Sequence, residues 1–325
     1  MMEKVLRFAL RAWRRMAGDK TLIEQVFKKQ YRLLRIRIEK KLVGPNFVYF
    51  WAGSKKVKRV GIYVKGSCDL VSMFSCQPLI QKELDGTCCI LHEGAVWDSS
   101  TTLTLQTLSD IPVEIVDPVI ERLKLPRGYF DQGQLFKRSM TVKVAGGEEE
   151  FAKSVIVMSA GPDLIRTLYR HKEHGFFVDP GGWWFNQGMT QVLGDMSAAT
   201  WFRKNFESVG RIGVVEFSSN LRKIVTLLKE KTDAHILVYN VLTIEPGSEV
   251  HDYRLVKNSV IKRAREFDLA LVDLSRELDV AIVDVDRALK RDGVGGQVDY
   301  AHFPPALYPV VAREAYRVMK ELGAL

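Results

Sequence analysis

The stretch Val60-Gly61-Ile62-Tyr63-Val64-Lys65-Gly66-Ser67-Cys68-Asp69-Leu70 decides the fold. Residues 60–64 are a short apolar run rich in β-branched side chains, the mark of a buried strand. Directly after the Gly66 turn, residues 71–83 carry a helical pattern. A tight passage from strand to helix presents its side chains at the carboxyl edge of a parallel sheet, where open α/β proteins place their sites. The glycine lets the chain turn. Cys68 stands at the start of the helix, where the positive end of the helix dipole favours a thiolate. A buried cysteine with a purely structural role is the alternative reading of this turn.

Working outward, further short apolar runs at 88–91, 155–158, 235–240 and 280–283 read as strands, and 219–231, 252–277 and 309–322 read as helices. Strands alternating with helices predict a doubly wound parallel sheet covered on both faces, a three-layer α/β sandwich. Residues 101–150 carry no legible pattern and read as a lid or an irregular insertion. The expected domain is 57–325, preceded by a helical extension over 1–56.

That extension holds the charge. Residues 1–59 contain seventeen Lys/Arg against four Asp/Glu, whereas the rest of the chain has 31 against 35, so the net +9 belongs wholly to the N-terminal segment. Nucleic-acid binding by the main domain is therefore not expected. Val5, Leu6, Ala9, Leu10, Trp13 and Met16 recur at helical spacing, and 21–42 predicts a second basic helix that ends at Gly44-Pro45. Such helices suit an anionic membrane surface or an acidic partner over 1–42, or else a solvated helical cap.

No apolar stretch is long enough to span a bilayer, and Arg7, Arg11, Arg14 and Arg15 interrupt what a secretory signal would need to keep apolar. Cys68, Cys76, Cys88 and Cys89 form no CxxC pair, which argues against a structural zinc site and a disulfide scaffold. The expected setting is cytoplasmic, peripheral at the inner membrane face if the basic segment binds lipid, with no metal and no bound cofactor.

Near the far end, Asp299-Tyr300-Ala301-His302 lies in a loop after the last expected strand and before the last helix. In a short D-x-x-H loop the carboxylate can accept from one imidazole nitrogen and leave the other free as a base. Taken with Cys68, this pair resembles the SGNH/GDSL hydrolase superfamily, which has a G-D-S turn after its first strand and a D-x-x-H pair before its last helix. The resemblance puts the nucleophile on Cys68, with Ser67 before it, and the base and its orienter on His302 and Asp299. The Gly-x-Cys form resembles a branch of bacterial capsule and polysaccharide biosynthesis proteins. Arg138 and Lys143 ahead of strand 155–158, followed by Asp163-Leu164-Ile165, fit the same branch.

The resemblance implies an acyltransferase or esterase acting on a carbohydrate or glycolipid, with acyl-CoA as a candidate co-substrate. Gly94, in His92-Glu93-Gly94-Ala95, matches the family's glycine amide of the oxyanion hole. The family's G-x-N-D block falls on Gly161-Pro162-Asp163-Leu164, with an aspartate where an asparagine should donate. An ionised carboxylate cannot donate to an oxyanion. Asn186, in Trp183-Trp184-Phe185-Asn186, is the expected substitute. These departures also suit a scaffold kept for carbohydrate or partner binding without catalysis.

Residues 171–186, with His171, His174 and several aromatics, read either as the wall of a sugar site or as a loop packed on the sheet. Asp284 and Asp286 end a strand and read as helix-capping residues or as groups reaching the site.

Overall fold

The computed structural model describes residues 37–43, 46–52, 58–66, 70, 87–92, 100–125, 127–131, 133–144, 147–179, 196–243, 260–292 and 307–325. The chain begins with β1 (Arg37–Val43), β2 (Asn46–Ala52), β3 (Lys58–Lys65) and β4 (Thr87–His92). Helices α1 (Thr101–Gln106) and α2 (Val113–Leu123) follow, then β5 (Ser139–Val144), β6 (Gly147–Ser159) and α3 (Gly161–Ile165). Next come β7 (Leu168–His171), β8 (Phe177–Val178), α4 (Met196–Asn205) and β9 (Phe206–Gly210). The last part is α5 (Val214–Lys231), β10 (His235–Tyr239), α6 (Val260–Leu278), β11 (Ala281–Val283), α7 (Val285–Asp292) and α8 (Tyr308–Glu321).

Among the described residues the main sheet runs β1-β2-β4-β3-β6-β10-β11, with β5 paired to the first half of β6. β3 lies parallel to both β4 and β6, and β10 lies parallel to β6 and β11. The carboxyl ends of these five strands therefore share one edge. β4, the next strand in sequence, lies on one side of β3 and β6 on the other, so the strand order reverses at β3/β6. A small second sheet, β8-β7-β9, stands apart.

Side-chain alternation along the central strands divides the core into two layers. Val60, Ile62, Val64, Val155, Val157, Leu237 and Tyr239 face α7 and α8, meeting Leu289, Val311, Ala315, Tyr316 and Met319. Tyr63, Ile156, Met158, Ile236 and Val238 face α1, α2, α5 and α6. On α5, Phe217, Leu221, Ile224, Val225 and Leu228 fall on one stripe, and Phe217 stacks on Phe267 of α6 with centroids 4.6 Å apart. Each such fully buried side chain contributes roughly 1.5–3 kcal/mol of transfer free energy. The expected doubly wound parallel sheet, covered on both faces, is the observed architecture.

Two expectations change. The helix expected over 21–42 does not reach its end: Arg37–Val43 is a strand, hydrogen-bonded to β2, which in turn pairs antiparallel with β4. The sheet thus crosses the boundary drawn at residue 56. Leu42 and Val43 alternate poorly with the charges before them, so the basic run hid a strand. The expected helices over 1–36 lie outside the described residues.

Residues 101–150 are not a lid. Leu103, Val119, Leu123, Tyr129, Phe136 and Met140 are buried in the main core, and β5 forms a hairpin with β6. Pro118 inside α2 masks a helix whose Val116, Val119 and Leu123 otherwise keep helical spacing.

Candidate active site

The reversal of strand order between β3 and β6 opens the crevice in which doubly wound sheets bind ligands. Gly66 leaves β3 there, and its role differs from the expected one. A Cβ at Gly66 would stand 2.0 Å from Leu70 Cδ1 and 3.0 Å from Ser159 Cβ. Glycine is needed because Leu70 and the end of β6 close on this backbone. The turn is thereby packed against the sheet's carboxyl edge, directly ahead of Ser67 and Cys68.

Ser67, Cys68, Gly94, Asn186, Asp299 and His302 lie outside the described residues. What the structure shows is how the chain is fastened on either side of them.

After β6, Ala160 N–H donates to Tyr239 O at 3.2 Å and Gly161 N–H donates to Ser159 Oγ at 3.0 Å, so the strand passes directly into α3. Asp163, one turn on, is 2 % exposed. It points inward: Thr101 N–H donates to its Oδ1 at 3.0 Å and Oδ2 at 3.1 Å, and Thr101 Oγ1–H donates to Oδ1 at 2.9 Å. Burial pushes the Asp163 carboxyl up to about 7, with Glu216 adding to the rise and the Thr101 bonds opposing it. Asp163 thus holds the start of α1, the first residues after 93–99, the stretch that includes Gly94. Arg263 reaches over from α6 and donates to Leu164 O and Ile212 O, the latter at 2.9 Å.

A second polar cluster ties the end of β10 to α7. Asn240 Nδ2 donates to Asp284 Oδ1 at 2.9 Å, and Asn240 Oδ1 accepts from Val285 N–H at 2.7 Å. Asp284 Oδ1 also accepts from Arg287 N–H at 3.0 Å, which makes it a capping residue of α7. Asp286 Oδ1 accepts from Thr243 N–H at 2.7 Å, and Lys290 Nζ donates to Thr243 Oγ1 at 2.7 Å and Asp286 Oδ2 at 2.5 Å. Asp268 takes Val241 N–H at 3.0 Å, and burial pushes its carboxyl up to about 7. The capping alternative describes Asp284; Asp286, inside the first turn of α7, instead holds Thr243 and Lys290.

His171, Phe176, Val178 and Asp179 pack inward too, while 172–175 form an exposed turn. His171 is 5 % exposed, stacks on His174 and Phe176, and its Nδ1 accepts from His174 N–H at 3.2 Å. Phe176 is buried against Phe130 and Phe206. Asp179 pairs with Arg166 at 3.4 Å and takes the Tyr129 hydroxyl on its carbonyl, fixing the entry to 180–195. Nothing in the sequence marked Thr101, Asn240 or Asp268. They are ordinary polar residues whose roles come from partners far along the chain.

No family model matches this chain, and no curated protein matches it by sequence. Several solved structures resemble it. A member of the lipolytic G-D-S-L family from Veillonella parvula is 10 % identical, with 80 % of this chain and 98 % of that one covered, at a TM-score of 0.38. An acetylxylan esterase from Geobacillus stearothermophilus is 10 % identical, covering 83 % and 95 %, at 0.39. Phospholipase A1 from Streptomyces albidoflavus is 11 % identical, covering 80 % and 99 %, at 0.37. Among the described residues no helix is long and apolar enough to cross a membrane.

Proposed function

We propose that this chain carries out acyl chemistry on an ester or thioester, through Cys68 as nucleophile, His302 as base and Asp299 as its orienter. In the first half-reaction the Cys68 thiolate adds to the acyl carbon. The alcohol or thiol leaves with the proton held by His302, and a thioester remains on the enzyme. In the second, His302 takes the proton of water or of a sugar hydroxyl, whose oxygen attacks the thioester and frees Cys68. Backbone amides near Cys68 and Gly94, with Asn186 as a side-chain donor, hold the oxyanion.

The observation that carries this reading is topological: Gly66-Ser67-Cys68 leaves β3 at the point where the strand order reverses. In sequence, Asp299 and His302 follow the last strand of the sheet and fall between α7 and α8. A carbohydrate or glycolipid acceptor, acyl-CoA as donor, and an anionic membrane surface met by the basic residues of 1–42 complete the proposal, with a cytoplasmic location.

The test is turnover of p-nitrophenyl acetate and of acetyl-CoA with a saccharide acceptor. Cys68→Ala and His302→Ala should each lose roughly 10³-fold or more. Retention of turnover in either variant contradicts the assignment. One observation favours a second reading, a non-catalytic binding protein: Asp163, in the block where the family keeps an oxyanion donor, is turned inward onto Thr101. Saccharide binding without turnover by the unaltered protein would select that reading.

A further inference from the structure

We propose that Glu314 of α8, with Arg287 of α7, is a positioning latch that sets the two ends of segment 293–306, which carries Asp299 and His302; its effect on activity rests on the function proposed above. α7 ends at Asp292 and α8 begins at Tyr308, so the two helices are the fixed posts of this segment. They are joined by a carboxylate that is only 4 % exposed. Arg287 Nη2 donates to Glu314 Oε1 at 2.5 Å from one post. From the other, Arg317 Nη2 and Nε donate to Oε1 and Oε2 at 2.7 and 3.0 Å. Arg317, chiefly through these bonds, holds the Glu314 carboxyl below the ordinary glutamate range, and Arg287 adds to this.

The latch continues to the sheet. Arg287 N–H and Asn240 Nδ2 both donate to Asp284 Oδ1, and Asn240 lies one residue beyond β10. A connected run of charge-assisted bonds therefore leads from the end of a central strand, through α7, to α8. Val285 and Leu289 of α7 and Val311 and Ala315 of α8 belong to one buried apolar layer. The carboxylate is buried while Arg287 and Arg317 remain about half exposed, at 51 % and 48 %, so these pairs contribute little to stability. Arg317, on the same helix, grips both carboxylate oxygens and holds Glu314 in one orientation, and the single bond from Arg287 then ties α7 to α8. Register matters here because a displacement of about 1 Å between a base and its nucleophile can cost roughly 100-fold in rate.

The experiment uses the full chain with Arg287→Leu/Glu314→Leu, which removes the latch while filling its volume, and Glu314→Gln, which keeps the shape and removes the charge. Each is followed by thermal denaturation, amide hydrogen exchange and ester turnover. The latch predicts a melting point within a few degrees of the parent for at least one variant. In that variant, exchange within 293–306 should be about tenfold faster with the β6 and β10 amides unchanged. It also predicts kcat lowered about 10–100-fold at unchanged KM, and partial recovery in Arg287→Lys, which keeps the cation. Unchanged exchange in 293–306 in a folded variant overturns the latch, as does loss of exchange protection throughout the protein in both variants. If the parent protein turns over no ester, the proposed function fails while the exchange data still decide the latch.

Discussion

Asp163→Asn changes one atom type at a buried site and should reverse sign with pH. The carboxyl titrates at about 7 in the fold, against an ordinary 3.8, because burial disfavours its charge. Between those values the folded protein holds a proton that the unfolded chain has released. The group's contribution is therefore full below about 3.8 and is lost as pH rises towards and through 7. At about 1.36 kcal/mol per pKa unit the whole change is on the order of 4 kcal/mol. Asparagine has no such titration. Its Oδ1 can accept from both Thr101 N–H and Oγ1–H, as Asp163 Oδ1 does, but its amide nitrogen then faces Thr101 N where Oδ2 stood at 3.1 Å.

Below pH 5 the asparagine variant should accordingly be the less stable protein, by roughly 1–3 kcal/mol for the mispaired donor. Above pH 8 it should be equal or more stable. Urea denaturation of both proteins from pH 4.5 to 8.5 measures the difference directly, and contributions common to both cancel. A difference that stays constant across that range would refute the account of Asp163 as a buried, proton-holding anchor of α1.

Gly66→Ala should lower stability by about 1–3 kcal/mol in chemical denaturation, since its Cβ meets Leu70 and the Leu70 side chain and the β6 edge must shift. Lys153 is buried, its Nζ donates to Leu135 O at 2.6 Å and to Gln134 O and Lys137 O, and burial lowers it from 10.5 to about 8. The folded protein releases that proton first, so stability should rise between pH 8 and 10.5, and Lys153→Met should lack this rise in the same titration. Asn240→Ala leaves Val285 N–H without its acceptor and removes one of the two donors to Asp284 Oδ1, and should cost about 1–3 kcal/mol in thermal or urea unfolding.

The sheet was largely legible because its central strands are buried on both faces. Val60, Ile62 and Val64 in β3 and Val155, Ile156 and Val157 in β6 form apolar runs that permit little else. The long amphipathic helices α5, α6 and α8 were legible by their stripes. β1 was not, because Arg37–Val43 carries its charges at spacings that also suit a helix, and only pairing with β2 decides between them. α2 was hidden by Pro118. The site's polar supports were invisible for another reason. The bonds of Asp163 to Thr101, 62 residues away, and of Asn240 to Asp284, 44 away, are made by the fold and leave no local pattern. The candidates Cys68 and His302 could be proposed from sequence because their motifs are local, Gly66-Ser67-Cys68 and Asp299-x-x-His302.

The most direct test of the central claim is intact-mass and peptide mapping after brief exposure to p-nitrophenyl acetate or acetyl-CoA, with the acid quench that preserves thioesters. The account predicts one acetyl group, carried on Cys68 and on none of Cys76, Cys88 or Cys89, lost in Cys68→Ala and retained in Ser67→Ala. Acetylation of Ser67 with Cys68 unmodified, or an adduct that survives Cys68→Ala, would contradict it.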